Sequence, residues 1–422
     1  MKIKAIKIEK LFDIFDYNIA YKTNENVLVI TGPNGFGKTT ILNIIFSVFN
    51  DDKEFLRQLL FDKITLFLEY DMSIEIVRYH KEGVSIPQLR YTVCEKGQKV
   101  ENFDHNFQPS EELIEYFKND PNIEETGEKS WETPGRIAAI TKYLVRKYFY
   151  VIPEKILEPI LKSSHIYESL AVYMIKEQRL LKKVKRKEDD QIIVAETIKE
   201  HVKKLTQKFT QKTEILSYIS QQLDTSYPSR LISEKRKISK EEYDKKFESL
   251  RNKQEQLVKY GIYDKVQEQL EYSPEDAKAL LVYLDDLDQK LGIYDDLLKK
   301  LNLFTTILNE RRFTFKTIEI HKDKGFYFQT STGKILELND LSSGEQHEVV
   351  LLFELIFNTT PNMLVLIDEP EMSLHVTWQK EFIKDLLKII ELQQFQVLIA
   401  THSPSIINDR WDLVHNLEKI EA

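Results

Sequence analysis

The chain has 422 residues and a formal net charge of −8 at pH 7, with 42% hydrophobic and 11% aromatic side chains. That length exceeds one compact core, so two or three modules are expected, and the composition is that of a globular chain. A single cysteine, Cys94, excludes an internal disulfide framework and the usual zinc clusters, and no apolar run approaches the ~20 residues that span a bilayer.

The N-terminus alternates Lys with Ile and reads as a strand, not a signal peptide, which suits a cytoplasmic protein without a membrane segment. Val27-Leu28-Val29-Ile30 reads as a buried strand, and Ile41-Leu42-Asn43-Ile44-Ile45-Phe46 as a helix with an apolar face. Residues 64–70 and 73–79 alternate apolar and polar positions around Asp71-Met72, as a hairpin would, and residues 90–98 add a candidate strand. The polar stretch 100–135, with Pro109, Pro121 and Pro134, reads as a loop with short helices, and Ile137 to Phe149 reads as helical.

Residues 155–310 are nearly all helical in pattern. Ile198, Val202, Leu205, Phe209, Leu216 and Ile219 recur at helical spacing, as do Tyr243, Phe247, Leu250 and Leu257. Tyr227-Pro228-Ser229 lies between the two sets, and Ser239 with Glu242 is a capping box that opens the second. The pattern reads as a short antiparallel helical hairpin, a stubby coiled coil in outline, or as a compact bundle without a partner. An arm of about 30 residues would reach about 45 Å. Arg179-Leu180-Leu181-Lys182-Lys183-Val184-Lys185-Arg186-Lys187 is strongly basic and could meet nucleic-acid phosphates, but Glu188, Asp189 and Asp190 follow at once. A solvated helix face or an acidic partner patch fits equally, so nucleic-acid binding stays open. Residues 313–339, with turns at Lys324-Gly325 and Thr332-Gly333, read as a hairpin leading into Leu341-Ser342-Ser343-Gly344-Glu345-Gln346.

The chemistry is concentrated at four places. The buried strand at Val27–Ile30 runs into Thr31-Gly32-Pro33-Asn34-Gly35-Phe36-Gly37-Lys38-Thr39-Thr40, and a helix follows. Strand, glycine-rich loop, Lys-Thr and helix form the context in which backbone N–H groups cradle phosphates at a helix N-terminus. Asn34, Gly35, Phe36, Gly37, Lys38, Thr39 and Thr40 are the candidate nucleotide-binding residues, with Lys38 for the β- and γ-phosphates and Thr39 for Mg²⁺. Leu364-Val365-Leu366-Ile367 is a second buried strand ending in Asp368-Glu369-Pro370, which offers Asp368 for the metal shell and Glu369 to polarise water. Val397-Leu398-Ile399-Ala400 ends in Thr401-His402, and His402 is a candidate γ-phosphate contact or an ordinary structural histidine. Ser342, Ser343, Gly344 and Glu345 open an apolar helix and make another candidate phosphate-binding N-terminus.

Taken in order, these four motifs resemble the ABC-type ATPase head: Walker A, a Leu-Ser-x-Gly signature, Walker B with a catalytic Glu, and a switch His. The resemblance covers residues 1–80 and 313–412 and implies an α/β head, a mixed sheet flanked by helices, with a largely helical insert. It divides the chain into residues 1–150, the first part of the head; 151–312, the insert; and 313–422, the second part. It implies ATP and Mg²⁺ as cofactors, and two heads facing each other so that Ser342 and Gly344 serve the partner subunit's ATP. Ile8-Glu9-Lys10-Leu11-Phe12, the signature run through His347, and Ile367 to His375 narrow the resemblance to the RecF/OLD-like group, often labelled AAA-family ATP-binding proteins. Members of that group occur in bacterial anti-phage systems such as PARIS, Septu and Gabija.

By that resemblance the chain would be an ATP-hydrolysing switch that assembles with itself, as a dimer or larger ring, and restrains a separate effector such as a Toprim-like or HNH nuclease until a phage trigger appears. No Toprim-like acidic cluster follows His402, so nuclease activity is not expected of these residues. A RecF/SMC-like DNA-repair ATPase, a transporter's nucleotide-binding subunit and a structural module without turnover are the competing readings. Glu345 stands where a Gln is usual, and His375 where an Asp is usual. Gln58 is a candidate for the Q-loop glutamine, with an exposed helical role the plainer alternative.

Overall fold

The computed structural model describes residues 1–23, 25–50, 52–80, 87–104, 170–185, 192–311, 313, 315–372 and 374–418. The loop expected at 100–135 is corrected at its start, where residues 100–104 belong to a strand that pairs in the sheet; its remainder, the helix from Ile137 to Phe149 and the acidic run Glu188–Asp190 lie outside the described residues. Two compact units emerge: a sheet unit (Met1–Ile175, Thr360–Pro370, Gln394–Ala422) and a helical unit (Lys176–Thr359, Glu371–Gln393). These bounds differ from the three consecutive segments expected. A unit is defined by which elements pack together, and the chain leaves and re-enters each one.

The sheet unit opens with β1 (Ile3–Leu11), β2 (Phe15–Ala20), β3 (Val27–Thr31), α1 (Lys38–Asn50) and α2 (Lys53–Gln58). β4 (Lys63–Leu68), β5 (Met72–Tyr79), β6 (Gln88–Glu95) and β7 (Gln98–Asp104) follow. All but β3 form an antiparallel sheet of order β2-β1-β4-β5-β6-β7. Its period-2 pattern buries Ile64, Leu66 and Leu68 on β4 and Ile74 and Ile76 on β5. The β4–β5 connection is a 3-10 turn, Glu69–Asp71, in which Tyr70 takes φ 61°, so the first strand of the expected hairpin stops at Leu68. Cys94 lies buried on β6.

After β8 (Val172–Ile175) the chain enters the helical unit through β9 (Leu181–Lys185) and β10 (Ile192–Glu196), an antiparallel pair. Strands here correct the expectation of near-continuous helix over 155–310. Within the described part of the basic run, Leu181–Lys185 is a strand and not a helix face, and Arg179 is only 5% exposed. α3 (Thr197–Ser233) then extends for 37 residues, about 55 Å at helical rise. It continues past Pro228 instead of breaking there. Close by, the Arg230 guanidinium donates to the Leu223 carbonyl and grips Asp286, which holds this turn of the helix in place. α4 (Lys240–Lys259) begins at the expected capping box of Ser239 and Glu242. α5 (Ala277–Gly292) packs against both α3 and α4, so the arm is a three-helix assembly, not a two-helix coiled coil. Gln254, which interrupts the apolar run of α4, is buried and accepts the Gln267 N–H through Oε1.

α6 (Asp295–Arg311) leads to a small sheet of β11 (Lys316–His321), β12 (Gly325–Thr330) and β13 (Ile335–Leu336), with the two expected turns between them. Gly325 at φ +69° lies against α3, where a Cβ would meet the Val202 carbonyl at 2.6 Å. α7 (Ser343–Phe357) is apolar on nearly every side and is buried accordingly. Its Phe353 and Phe357 join Phe304 of α6 and Phe326 of β12 in an aromatic core.

The chain returns to the sheet unit as β14 (Leu364–Asp368), adds α8 (Val376–Gln393) to the helical unit, and finishes in the sheet unit with β15 (Gln396–Ala400), α9 (Pro404–Ile407) and β16 (Val414–Asn416). A second, parallel sheet results, ordered β16-β3-β15-β14-β8. Every residue of β14 and β15 is buried, as are Val27 to Ile30 of β3. Parallel strands covered on both faces read as continuous apolar runs, which is how these three stand in the sequence. Leu28, Ile30, Leu364, Leu366 and Leu398 share one core with Ile41, Ile44 and Ile45 of α1 and with Ile6, Ile8 and Ile64 of the antiparallel sheet. Gln396 joins the two sheets by paired bonds to the Ile3 backbone, 3.0 Å from its N–H and 2.7 Å to its carbonyl.

Candidate functional site

Parallel register brings the carboxyl ends of β3, β15 and β14 to one edge, with Ile30 opposite Ala400 and Ala400 opposite Asp368. Open parallel sheets offer their ligand sites at that edge. The candidate residues Asn34–Thr40, Asp368–Glu369 and His402 all follow these three strands, so residues far apart in sequence are gathered by topology alone.

The loop from Gly32 to Gly37 owes its shape to positive φ at Gly35 (+88°) and Gly37 (+81°). At Gly37 a Cβ would meet Leu11 at 3.1 Å and Phe12 at 3.3 Å, so the β1 end of the hairpin closes directly on the loop. Tyr17 donates its hydroxyl to the Phe36 carbonyl at 2.8 Å, and Phe15 packs on the Phe36 ring at 5.2 Å. The opening Leu11-Phe12 run and β2 thus form the wall that holds the loop. Lys38 is 6% exposed, and its ammonium donates to the Gly32 carbonyl at 2.9 Å and to Pro33 at 3.4 Å. Thr40, in the first turn of α1, is half-buried.

Thr39 Oγ1 donates to Asp368 Oδ1 at 3.0 Å, across 329 positions of sequence. A hydroxyl and a buried carboxylate side by side are hard oxygen donors of the kind Mg²⁺ takes, so these residues fit the ion that the motifs imply. One residue on, Glu369 adopts φ +44° while its N–H donates to the Ala400 carbonyl at 2.9 Å. A left-handed conformation at a glutamate is strained and persists only where the surroundings impose it, which is common at working sites. Its Oε2 lies 2.5 Å from His402 Nδ1. The backbone bond and the imidazole together fix the carboxylate, with His402 exposed at 56%.

The candidate signature residues lie in the helical unit. Ser342 is the N-cap of α7: its Oγ accepts the Glu345 N–H at 3.3 Å, and Glu345 Oε2 accepts the Ser342 N–H at 2.7 Å. Lys316 of β11 also donates to both Glu345 oxygens, at 2.9 and 2.8 Å. Glu345 is half-buried, and although burial alone would raise its pKa, the Lys316 and Ser342 hydrogen bonds win and hold it below the usual carboxylate range. Glu in place of Gln therefore has a structural reason: the position carries a charge that Lys316 answers. Ser343 is exposed and Gly344 half-exposed at the mouth of this turn. The other departure, His375, starts α8: its carbonyl accepts from Trp378 and Gln379, and its Nδ1 lies 2.8 Å from Thr377 Oγ1.

Gln58 is exposed at the end of α2, with its amide on Glu54 of the same helix at 3.4 Å. Another glutamine escaped sequence reading. β8 is parallel to β14 and ends at Ile175, and Gln178 follows three residues later, exposed. The segment Tyr173-Met174-Ile175 is too short and too mixed to announce a strand, and only its pairing with Leu364–Ile367 reveals one.

α7 carries three buried polar residues. His347 accepts from Arg179 Nε at 3.1 Å; Glu348 is 3% exposed; and Glu354 lies 3.1 Å from His201 of α3, whose ring stacks on Phe353 at 4.3 Å. Burial, aided by the Arg179 charge, pushes the His347 pKa down to about 4.

No helix among the described residues is long and apolar enough to cross a membrane. No curated protein matches the chain. Among solved structures it is similar to the Smc head bound to the C-terminal winged-helix domain of ScpA, with 10% identity over 96% of this chain and 91% of that one and a TM-score of 0.40. It is also similar to the Smc head with an extended coiled coil bound to the C-terminal domain of ScpA, derived from Pyrococcus furiosus, with 12% identity, 96% and 90% coverage and a TM-score of 0.36. The SMC head domain from Thermotoga maritima gives 12% identity, 99% and 94% coverage and a TM-score of 0.35. The family model AAA_15, an AAA ATPase domain, matches residues 1–407, and the chain belongs to that family.

Proposed function

We propose that the protein binds ATP with Mg²⁺ at the carboxyl edge of the parallel sheet, hydrolyses it, and uses the cycle as an assembly switch. The observation that carries this reading is the Thr39–Asp368 bond of 3.0 Å beside Lys38, with Glu369 held by His402 on the neighbouring strand ends. Lys38 would leave the loop carbonyls for the β- and γ-phosphates, while the N–H groups around Gly35 and Gly37 cradle them. Thr39 and Asp368 would hold Mg²⁺, which supplies charge neutralisation on the phosphate oxygens. Glu369 accepts a proton from the water that attacks the γ-phosphorus, and ADP departs with the electron pair of the broken P–O bond. His402 keeps the Glu369 carboxylate aimed and reaches for the γ-phosphate. Gln178 is the candidate side chain to report the nucleotide's state to the helical unit. Ser342, Ser343, Gly344 and Glu345 would meet the ATP of a second copy, so nucleotide would join two heads.

The finer reading follows from the RecF/OLD-like resemblance of the motifs: the switch belongs to a bacterial anti-phage system and restrains a separately encoded effector, such as a Toprim-like or HNH nuclease. Purification of the tagged protein from its native locus with ATP and Mg²⁺, followed by mass spectrometry, tests both levels. A nuclease-like partner that disappears with Lys38→Ala supports the defence switch. Recovery of DNA with repair proteins would replace it with the RecF-like reading. A wild-type protein that binds no ATP would remove the switch altogether.

A further inference from the structure

Arg179 sits where three distant pieces of chain meet inside the helical unit. It follows Gln178 directly and is 5% exposed. Its Nε donates to His347 Nδ1 of α7 at 3.1 Å, and its Nη2 donates to the Met372 carbonyl at 3.3 Å. Glu348 of α7, Glu371 beside Met372, and Glu177 surround it with negative charge, the first two themselves 3% and 6% exposed. Burying a guanidinium is costly, and burial lowers its pKa here; its Nε and Nη2 are met by α7 and by the Met372 carbonyl, and its charge faces carboxylates from all three segments.

Each partner adjoins a candidate site residue along the chain. Met372 lies three residues beyond Glu369, His347 five beyond Ser342, and Gln178 is the neighbour of Arg179 itself. We infer that Arg179 is a positioning residue that ties the segment after β8, the first turns of the signature helix α7 and the segment after Glu369 into one moving part, so that nucleotide sensed at one is transmitted to the others. The inference rests on the ATPase reading proposed above and adds a route for its regulation.

The chemistry of the junction favours this role over space-filling. A guanidinium presents its donors in a rigid planar fork, so its two bonds fix the relative placement of their partners, which the rotatable donors of an ammonium do not. His347 can accept from Arg179 only as a neutral ring with its hydrogen on Nε2, and its depressed pKa favours that neutral form near pH 7. An apolar side chain of similar volume would bury here at less cost, because buried ion clusters are poor stabilisers but good specifiers of one arrangement. The first turn of α7 is itself pinned by the Ser342–Glu345 box and Lys316, so a pull at His347 moves the signature turn as a body.

The experiment compares wild type with Arg179→Lys, which keeps the charge, and with His347→Gln and His347→Leu. Three quantities are read: ATP affinity with Mg²⁺, turnover, and the amide hydrogen exchange of residues 343–348 with and without ATP. For Arg179→Lys we expect ATP affinity within about threefold of wild type, kcat lower by about tenfold or more, and no ATP-induced protection of 343–348. His347→Gln, whose amide oxygen accepts in place of Nδ1, should retain kcat within about threefold, whereas His347→Leu should behave like Arg179→Lys. Wild-type kcat and protection in Arg179→Lys would overturn the inference. So would a joint fall of affinity, kcat and melting temperature, the pattern of a purely structural residue. A wild-type protein that binds no ATP would instead sink the ATPase reading, and this inference with it.

Discussion

The two compact units treat buried polarity in opposite ways. In the sheet unit, β3, β14 and β15 are apolar and buried along their length, and chemistry begins where the strands stop, at the glycine loop, Asp368 and His402. In the helical unit the central helix α7 is just as buried, yet it carries His347, Glu348 and Glu354 in its interior, with Arg179 and His201 facing them. The first arrangement needs only a parallel sheet, since strand direction alone gathers the reactive groups at one edge. The second needs each polar group to find its partner, and a missing partner costs more than the pair contributes. The candidate ligand site is thus built on topology, and the polar interior of α7 on specific pairs.

The contrast can be broken most sharply at the loop. Lys38→Ala should abolish measurable nucleotide binding, a loss of about 100-fold or more for a charge-assisted phosphate contact, while leaving the fold intact. Titration with a fluorescent ATP analogue measures it; unchanged affinity would show that the loop is not the nucleotide site. Glu369→Gln should lower kcat by about 100-fold or more and leave ATP affinity near wild type, since only proton acceptance is removed. Steady-state phosphate release checks this, and wild-type turnover would move the base elsewhere.

In the helical unit the large effects should fall on stability. Phe304→Ala empties the centre of the aromatic cluster with Phe326, Phe353 and Phe357 and should cost about 3–5 kcal/mol in chemical denaturation. ATP affinity at the sheet unit should change far less, and an equal loss of both would erase the distinction between the units. The His347 pair predicts a pH signature. Its folded pKa of about 4 lies below the ordinary histidine value of 6.5, so the unfolded chain binds the extra proton first. Its contribution is therefore present in full above about pH 6.5 and declines as the pH falls towards 4. Denaturation at pH 7 and pH 5 should show that decline, and His347→Gln should flatten it. The smallest effect belongs to the loop's wall: Tyr17→Phe removes the bond to the Phe36 carbonyl and should weaken ATP binding by about fivefold, close to 1 kcal/mol.

The same contrast explains what could be read in advance. Val27–Ile30, Leu364–Ile367 and Val397–Ala400 are short unbroken apolar runs, each followed at once by glycines or carboxylates or a histidine, so strand and site residue are visible in one glance at the chain. The capping boxes at Ser239 and Ser342 are equally local, because a serine and a glutamate three apart carry the whole interaction. β8 and β9 escaped, since a four-residue strand gains its identity from the neighbour it pairs with. The continuation of α3 through Pro228 escaped as well, because Asp286, which holds Arg230, lies 56 positions away.

The sequence by itself determined the glycine-rich loop between a buried strand and a helix, the apolar strand that ends in Asp368, the order of motifs read as an ATPase domain, and the long helical stretches between them. All of these depend on groups within a few residues of one another or on a periodicity that needs no partner. The tertiary structure alone decided that Thr39 meets Asp368, that His402 holds Glu369, that Glu345 answers Lys316 and that Arg179 lies buried against His347. Those bonds join residues 29 to 329 positions apart. Which polar group meets which at such distances is settled by how strands and helices pack, and no local preference of the chain encodes it.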